Sequence, residues 1–267
     1  MLGLGTAVNR GGFVRAADPL LLDEYSGAAA AYSLRKLSGT YSGNAVKVRR
    51  ASDNAELDIG FSGGGLDTSA IATHCGSSDG FVSVWYDQSS NTNDASQSTA
   101  ASQPKIYDGT TGVVTENGKP AIDWASDQMT MPASVGVDFS IAWVWRSDDA
   151  GLNQLILNTQ VDCYWNPSNN YRLYFGGAIY NFGTSEGAVS PTTHSVIWQN
   201  YSTSETWYMR SNGNEKSFAA GASYTPASGP MGQLVDGTIQ EIIIWNSNQS
   251  SNRTNIESNI NTFYSIY

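Results

Sequence analysis

The sequence predicts an all-β protein in which two antiparallel sheets pack face to face as a jelly-roll sandwich. Short runs of β-branched and aromatic residues alternate with period two between clusters of Gly, Pro, Asn and Ser, which is the signature of strands. Charged residues make up only 14% of the 267 residues, so Ser, Thr, Asn, Gln and Gly must supply the polar surface. Each half-apolar strand needs a facing layer, and many short strands are commonly arranged as a jelly roll.

The beginning of the chain is predicted to lie outside the sandwich. Residues 1–25 start with a Gly-rich, weakly patterned stretch, which we expect to be an arm that docks on a partner through Arg10 and Arg15. The stretch lacks a charged segment followed by a continuous apolar run, so we expect no secretory signal there. Residues 26–267 show neither an internal repeat nor a long linker and are predicted to form one sandwich domain.

A short helix is predicted where the domain begins. In the segment Ser26–Leu37, Ala30, Leu34 and Leu37 have the spacing i, i+4 and i+7 that places apolar side chains on one helical face. The following stretch of Ser and Gly ends this pattern.

The strand runs follow and are separated by turn residues. They are "NAVKVRRA" from Asn44, "FVSVWY" from Phe81, "SIAWVWR" from Ser140, "QLILN" from Gln154, "YRLYF" from Tyr171, "HSVIWQ" from His194 and "TWYMRS" from Thr206. Asn212 and Gly213 come directly after the last of these runs and favour a tight hairpin, because both accept positive φ. The Ile-rich run "GTIQEIIIWN" from Gly237 indicates a strand buried on both faces.

The end of the chain returns to helical spacing. Ile256, Ile260 and Phe263 lie at i, i+4 and i+7, and Thr254 with Glu257 matches the Thr-x-x-Glu capping box. We therefore expect a C-terminal helix that packs its apolar stripe on the sandwich.

The distribution of charge argues against nucleic-acid binding. The net charge is −10, and most of the acidic residues follow the first quarter of the chain, whereas nucleic-acid binding needs a concentrated basic face. A basic stretch comprises Arg35, Lys36, Lys47, Arg49 and Arg50, and we interpret it as a solvated face in preference to a docking patch. No apolar run is long enough to span a membrane.

The sulfur and imidazole side chains form no recognisable catalytic or zinc motif. Cys75 and Cys163 could form one disulfide or remain as two buried thiols, and the sequence leaves both alternatives open. His74 adjoins Cys75, but adjacent residues of a strand point to opposite sides, which argues against a catalytic dyad.

A dense cluster of Asp, Asn and Ser follows the strand run "FVSVWY". Asp87, Asn91, Asn93 and Asp94 are good turn residues because their side chains bind nearby backbone amides, and they also offer the oxygen ligands that calcium takes. The spacing is not that of an EF-hand, so a structural corner is the preferred interpretation and a calcium loop the alternative. We expect no other cofactor.

An aromatic segment in the middle of the chain is a candidate glycan site. Tyr164 and Trp165 stand beside Asn166, and saccharides bind to aromatic faces together with fixed amide groups. The period-two spacing of Tyr171 and Leu173 assigns those side chains to the core instead. The sequence therefore predicts carbohydrate contacts by Tyr164, Trp165 and Asn166.

Three blocks of the chain resemble a known family. The blocks "AYSLRKLSGTYSGNAVKVRRASDNAELDIGF" from Ala31, "VWYDQSSNTNDASQ" from Val84 and "NGKPAIDW" from Asn117 are similar to the arabinofuranosidase catalytic domain of glycoside hydrolase family 54. That resemblance implies a concanavalin A-like, laminin G-like β-sandwich. Together with the ending from Gly237 to Tyr267, the blocks look still more like virion-associated proteins of aquatic bacteriophages, found as head fibres, decorations or tail adhesins.

The catalytic residues that the family resemblance implies are not matched. The family has a Cys-Cys pair leading to a nucleophilic Glu, whereas the matching stretch Asp162–Asn170 has the single Cys163 and contains no Glu. Gln233 stands near the position of the family's acid, and Asp236 is offset from it. Glu241 and Asp123 lie in strand contexts, where alternation gives Glu241 an outward, solvated position. The sequence therefore assigns no catalytic residue.

The sequence thus favours a non-enzymatic structural protein of a phage virion, such as a capsid decoration, head fibre or tail adhesin. Its expected partners are capsid or tail proteins, which it would bind through the arm, together with cell-surface glycans and further copies of the chain. It would be made in the host cytoplasm and bind neither nucleic acid nor membrane. The alternative hypothesis is a glycoside hydrolase of arabinofuranosidase type.

Overall fold

A computed structural model describes residues 19–158, 162–175, 178–221 and 228–267 and confirms the antiparallel all-β architecture. In these ranges, the helices are α1 (Leu21–Glu24), α2 (Thr68–Cys75) and α3 (Arg253–Tyr264). The strands in the same ranges are β1 (Ala28–Ser33), β2 (Val46–Arg50), β3 (Glu56–Ile59), β4 (Phe61–Ser62), β5 (Gly65–Leu66), β6 (Gly80–Trp85), β7 (Ala95–Ser96), β8 (Lys105–Asp108), β9 (Gly112–Val113), β10 (Thr115–Glu116), β11 (Lys119–Pro120), β12 (Ile122–Ala125), β13 (Met129–Met131), β14 (Phe139–Ser147), β15 (Gln154–Asn158), β16 (Asp162–Asn166), β17 (Asn170–Phe175), β18 (Ala178–Gly183), β19 (Ser195–Tyr201), β20 (Trp207–Ser211), β21 (Asn214–Phe218), β22 (Gly229–Met231) and β23 (Asp236–Trp245).

Most of the described strands form two layers. The six-stranded layer has the order β1–β23–β14–β19–β20–β21. The ten-stranded layer has the order β3–β2–β6–β7–β13–β22–β15–β16–β17–β18. Strands β8 and β12 connect the layers, because β8 pairs with β6 while β12 pairs with both β8 and β23.

The main core lies between the two layers, and a second apolar cluster covers the outer face of the six-stranded layer. In β14, Ile141, Trp143 and Trp145 point into the main core, whereas Ala142 and Val144 belong to the second cluster with side chains of α1 and α3. Because both faces of this layer are covered by protein, its outer surface offers no open groove at these positions.

The central strand β23 confirms the prediction of burial on both faces. Ile242 and Ile244 lie in the main core, and Ile243 and Trp245 lie in the cluster under the helices. Double burial removes the alternation of apolar and polar residues, which is why the sequence here reads as a continuous apolar run.

The hairpin predicted at Asn212 and Gly213 is also present. Strands β20 and β21 close through the pair Ser211–Asn214, and the two turn residues have φ values of 47° and 82°. Positive φ at both central positions matches the twist of the flanking strands.

The early helix predicted over Ser26–Leu37 is wrong. Residues 28–33 form β1, which pairs with β23 through partners such as Tyr32 and Ile242. The strand is covered on both sides, since Ala30 lies in the main core and Ala31 in the second cluster. Pairing with β23 overrides the helical spacing of the local sequence.

The C-terminal helix is present, but its predicted capping box is not. Helix α3 buries Ile256 and Ile260, and its N-cap residue Asn252 makes no side-chain capping bond. Glu257 instead accepts hydrogen bonds from Nε of Arg210 and from the backbone amide of Gly213. This glutamate therefore joins α3 to the β20–β21 hairpin.

The described part of the predicted arm packs on the sandwich. Leu21, Leu22 and Tyr25 are buried in the cluster that α3 also covers, and the amide of Leu22 donates to the carbonyl of Leu37. Arg10 and Arg15, the predicted docking residues, lie outside the described residues. No helix in the described ranges has both the length and the apolar character that crossing a membrane requires.

Candidate functional site

The outer face of the ten-stranded layer carries a groove at β15–β18. Alternation along β16 points Asp162, Tyr164 and Asn166 outward, while Cys163 and Trp165 point into the core. The groove has a volume of about 400 Å³. Its walls are formed by Asn153, Leu155, Asp162, Tyr164, Asn166, Tyr174, Ile179 and Leu234.

Asp162 is the chemically distinctive group of the groove. Burial raises the pKa of its carboxyl group to about 6, and no neighbouring charge contributes to the shift. Its Oδ1 atom is buried and has no hydrogen-bond partner in the described part of the chain. Because the wall side chains Leu155, Ile179 and Leu234 are apolar, the groove disfavours the carboxylate form. Asp162 therefore keeps its proton at mildly acidic pH, where an ordinary aspartate has lost it.

Aromatic and amide groups surround this carboxyl group. Tyr174 is 38% exposed, and the guanidinium of Arg172 lies 5.9 Å from the centroid of the Tyr164 ring. Nδ2 of Asn166 donates to Oδ1 of Asn153 at 3.1 Å, which fixes both amides on one wall. Exposed aromatic rings beside fixed amides form the kind of surface that binds saccharides.

The predicted carbohydrate residues divide between the two sides of β16. Tyr164 and Asn166 line the groove as described above, whereas Trp165 is fully buried. The Trp165 ring packs against Tyr171 with centroids 5.0 Å apart, and its Nε1 donates to the carbonyl of Ala150. The expectation that Trp165 contacts a ligand is therefore wrong, because consecutive strand residues cannot both face outward.

The Asp/Asn cluster after β6 forms a hydrogen-bonded corner. Oδ1 of Asp87 accepts from the amides of Ala31 and Ser89, and its Oδ2 accepts from the amide of Asn93. Asn91 also belongs to this network, since its Nδ2 donates to the carbonyl of Ala28 at 2.8 Å.

Asp94 completes the same corner. Its Oδ1 accepts from the amide of Asp87 at 2.9 Å. In the described ranges, no group of three or more His, Cys, Asp and Glu side chains is arranged to hold a metal ion. Calcium binding at this corner would require Asp87 and Asp94 to exchange these bonds for the ion.

Glu241 is neither solvated nor part of a groove, so its predicted outward position is wrong. Its side chain is fully buried, and its two oxygens accept from Nε and Nη2 of Arg35 at 2.8 and 3.0 Å. The hydroxyls of Ser33 and Tyr264 donate to the same carboxylate. Burial alone would lower the pKa of Arg35, but the carboxylate of Glu241 has the larger combined effect. The pKa of Arg35 is therefore raised. Glu241 is therefore a structural ion-pair residue.

The other residues considered from sequence lie elsewhere or play supporting roles. Asp123 lies on β12 opposite Thr238, and burial, followed by the charge of Asp148, raises its pKa. Cys75 and Cys163 are both buried and free, which answers the alternative that the sequence left open.

Sequence reasoning missed Asp162, although the signal was present. The sequence predicts that Tyr164 is exposed, and period-two spacing from Tyr164 along a strand reaches Asp162 and Asn166. The prediction that the consecutive residues Tyr164 and Trp165 both contact a ligand is incompatible with this alternation. The apolar walls around the carboxyl group are formed by Leu155 on the neighbouring strand and by Ile179 and Leu234 farther along the chain.

Comparison with known proteins gives both a family match and structural matches. The family model described as alpha-L-arabinofuranosidase B, catalytic, matches residues 24–217. An arabinofuranosidase complexed with arabinofuranosyl-α-1,2-xylobiose is 16% identical, with a TM-score of 0.64. A glycoside hydrolase family 54 α-L-arabinofuranosidase soaked with a cyclic sulfate inhibitor is 17% identical, with a TM-score of 0.65.

These structural alignments cover 87% of this chain and 62% of each solved chain, so the chain spans less than two thirds of their length. At such low identity the structural matches establish the fold alone. A comparison with curated proteins found no match.

The comparisons correct the functional prediction made from the sequence. The catalytic-domain match over residues 24–217 contradicts a non-enzymatic virion protein, whether decoration, head fibre or tail adhesin. The resemblance to bacteriophage proteins is not shown by these matches, whereas the similarity to arabinofuranosidases is. The alternative hypothesis, a glycoside hydrolase, is the better supported.

Proposed function

This chain belongs to the α-L-arabinofuranosidase B catalytic family, and from that premise we propose that it is a glycoside hydrolase that acts on α-L-arabinofuranosides. The substrate binds in the groove of β15–β18, with its glycosidic oxygen at Asp162. The observation that carries the proposal is the raised pKa of Asp162, about 6, in an open groove with exposed Tyr and Asn side chains.

Asp162 acts as the proton donor. Hydrolysis transfers the arabinofuranosyl group to the oxygen of water, and the departing oxygen is left as an alkoxide unless it receives a proton, which a carboxylic acid of raised pKa supplies. The apolar walls keep this proton in place until the substrate is bound. Among the described residues, Asp162 is the one carboxyl group that lines the groove, so the proton-donor role alone is assigned.

The remaining groove residues hold the sugar. The rings of Tyr164 and Tyr174 offer apolar faces for the C–H side of a saccharide. The amides of Asn153 and Asn166 bind hydroxyl groups and are already fixed by their mutual hydrogen bond. A binding surface fixed in advance loses less side-chain entropy when the ligand arrives.

The test compares two leaving groups in the variant Asp162→Asn. Arabinofuranosyl-xylobiose releases a sugar hydroxyl, which needs a proton, whereas 4-nitrophenyl α-L-arabinofuranoside releases a phenolate that leaves without one. We expect Asp162→Asn to lower kcat on the saccharide about 10²–10⁴-fold, the usual contribution of general acid catalysis. The loss of kcat on the nitrophenyl glycoside should be much smaller.

The matched control is Asp127→Asn. Burial also raises the pKa of Asp127, but this residue does not line the groove. We expect its kinetics to equal those of the unsubstituted chain. Equal activity of Asp162→Asn and the unsubstituted chain on both substrates would contradict the assignment of Asp162. Binding of arabinofuranosides without any turnover by the unsubstituted chain would contradict the hydrolase proposal itself.

A further inference from the structure

Arg172 on β17 is an arginine for which the described part of the chain provides no oxygen acceptor. The side chain is half-buried, and its Nε atom is buried without a hydrogen-bond partner in these ranges. The six other described arginines all donate to carboxylates or other oxygens, and they are Arg35, Arg49, Arg50, Arg146, Arg210 and Arg253. A buried donor without an acceptor costs stability, so its retention in the fold needs a reason.

Arg253 shows the complete arrangement that Arg172 lacks. The guanidinium of Arg253 lies 3.9 Å from the centroid of the Tyr208 ring, and its Nε donates to Oε2 of Glu215 at 2.7 Å. The guanidinium of Arg172 also lies over a ring, 5.9 Å from the centroid of Tyr164, but it has no carboxylate partner among the described residues. A carboxylate binds a guanidinium more strongly than an aromatic ring does. The charge of Arg172 is therefore left without its best partner.

A second unpartnered atom lies on the residue directly opposite. Strands β17 and β18 pair Arg172 with Asn181, and paired residues point to the same face of the sheet. Oδ1 of Asn181 is buried and has no hydrogen-bond partner in the part of the chain that the structure describes. The donor of Arg172 and the acceptor of Asn181 do not bind each other. A ligand that offers an acceptor to the first and a donor to the second would satisfy both.

The charges around this pair favour an anionic ligand. The ammonium of Lys216 donates to the backbone carbonyl of Asn181 at 2.8 Å and lies 2.6 Å from Oε1 of Glu186, so these two charges balance. Asp162 lies on the same face, but it keeps its proton at mildly acidic pH and then carries no charge. The charge of Arg172 is thus uncompensated, in a chain whose net charge of −10 disfavours anions in general.

We propose that Arg172 and Asn181 form a binding site for a hydroxycarboxylate, such as a sugar acid, whose carboxylate accepts hydrogen bonds from the guanidinium. A neighbouring hydroxyl of the ligand donates to Oδ1 of Asn181, and the ring of Tyr164 offers an apolar face. Guanidinium groups bind carboxylates through charge-assisted and often bidentate hydrogen bonds, which gives the free Nε atom a use. Because Tyr164 also lines the groove of β15–β18, the site borders that groove. This inference goes beyond the hydrolase proposal, since it requires binding alone.

The experiment measures the binding of D-glucuronate and D-glucose, which differ only at C6, by isothermal titration calorimetry at about pH 5. At this pH Asp162 keeps its proton, whereas the carboxylate of the probe is ionised. We expect D-glucose to bind about 10–100-fold more weakly than D-glucuronate, because it lacks the charged acceptor. The variant Arg172→Met should abolish this preference, and Arg172→Lys should restore part of it, since Lys keeps the charge but not the planar fork.

The matched control is Arg253→Met, which removes another ring-stacked arginine and should leave the Kd for D-glucuronate unchanged. Acetate is a carboxylate without a hydroxyl group. The variant Asn181→Ala should therefore weaken the binding of D-glucuronate but not that of acetate. Thermal melts establish that the variants are folded. Absence of D-glucuronate binding would overturn the site, as would equal binding of D-glucuronate by Arg172→Met and the unsubstituted chain.

A further probe distinguishes two sources of such a ligand. In methyl β-D-glucuronoside the anomeric carbon is blocked, as it is in a uronic acid that belongs to a larger saccharide. Equal affinity for this glycoside and for D-glucuronate would show that the site accepts a uronic acid within a larger molecule. Loss of affinity would identify a free sugar acid as the ligand. Either result supports the site, provided that the affinity for D-glucuronate depends on Arg172.

Failure of this site can be told apart from failure of the hydrolase proposal. If the chain binds D-glucuronate through Arg172 but does not turn over arabinofuranosides, the hydrolase proposal fails and the site stands. If turnover of arabinofuranosides is normal but D-glucuronate does not bind, the site fails and the hydrolase proposal stands.

Discussion

Asp162 and Glu241 are both acidic, but their different environments give them different roles. Asp162 lies in a groove where burial raises its pKa to about 6 and leaves one oxygen without a partner in the described part of the chain. Glu241 is fully buried, yet Arg35, Ser33 and Tyr264 satisfy its carboxylate. The first group can donate a proton, whereas the second accepts hydrogen bonds from Arg35, Ser33 and Tyr264.

The variant Glu241→Gln tests the structural role of this ion pair. Gln keeps the shape but leaves the guanidinium of Arg35 buried without its counter-charge, and breaking such a pair costs about 3–5 kcal/mol. We expect the free energy of unfolding, measured in urea, to fall by that amount. The kcat of the folded fraction should stay the same, because Glu241 does not line the groove of Asp162. The surface variant Glu205→Gln should change neither quantity, and a stable but inactive Glu241→Gln would contradict this assignment.

The sequence revealed part of the site at the level of single residues. Tyr164 and Asn166 were recognisable because exposed aromatic and amide groups suit saccharides. Asp162 was not, since burial raises its pKa, and the groove walls that include Leu155 and Ile179 come together only in the folded sheet. The sequence shows which residues are acidic. The pKa of a carboxyl group also depends on which side chains exclude water from it in the folded protein.

At the scale of elements, the corner after β6 fastens β1 to the ten-stranded layer. Asp87 receives hydrogen bonds from the amides of Ala31, Ser89 and Asn93, and the hydroxyl of Tyr32 donates to the carbonyl of Asn93. The first of these bonds joins residues that are 56 positions apart in the chain. The hydrogen bonds of these polar turn residues therefore hold β1 next to the turn that follows β6.

Substituting Asp87 by Ala should loosen this connection. The amide of Ala31 would lose a charged acceptor while remaining buried, and the loss of such bonds costs about 2–4 kcal/mol. We expect a corresponding decrease in the free energy of unfolding and faster amide hydrogen exchange in β1. The melting temperature of the unsubstituted chain should be the same in calcium and in EDTA, because these oxygens are already bonded. A calcium-dependent rise in melting temperature would show that the corner is a metal loop.

The elements also show where local sequence patterns succeed and fail. The hairpin at Asn212 and Gly213 was predictable because positive φ is a local property of those two residues. Strand β1 was not, because small Ala residues cover both of its faces and hide the period of two. Its conformation is decided by pairing with β23, more than 200 positions away in the chain.

At the scale of the whole molecule, several described carboxyl groups have shifted pKa values, and these groups divide into two populations. Hydrogen bonds from Arg50 hold the pKa of Asp53 at about 2, and a bond from the amide of Gly109 lowers the pKa of Asp79. Burial raises the pKa of Asp162, and also that of Asp123 and Asp127. The first population stabilises the fold above the pKa of an unfolded aspartate, and the second stabilises it below.

The pH dependence of stability separates these populations. An unfolded Asp162 releases its proton near pH 4, as ordinary aspartates do, whereas the folded chain holds it up to about pH 6. Unfolding between these values releases a proton, so stability is lost as the pH rises through this window. Asn at this position resembles the protonated acid at every pH. We therefore expect Asp162→Asn and the unsubstituted chain to melt at the same temperature at pH 4.

At pH 8 the same variant should melt a few degrees higher, because the unsubstituted chain then carries a half-buried carboxylate in an apolar groove. Asp53→Asn should behave oppositely, with a lower melting temperature at pH 8 that approaches the unsubstituted value near pH 2, since it removes a carboxylate held by Arg50. Parallel melting curves for Asp162→Asn and the unsubstituted chain from pH 4 to 8 would contradict the raised pKa. If Asp162→Asn is more stable than the unsubstituted chain at pH 8, then the carboxyl group of Asp162 destabilises the fold. A residue retained for its chemistry is expected to have this effect.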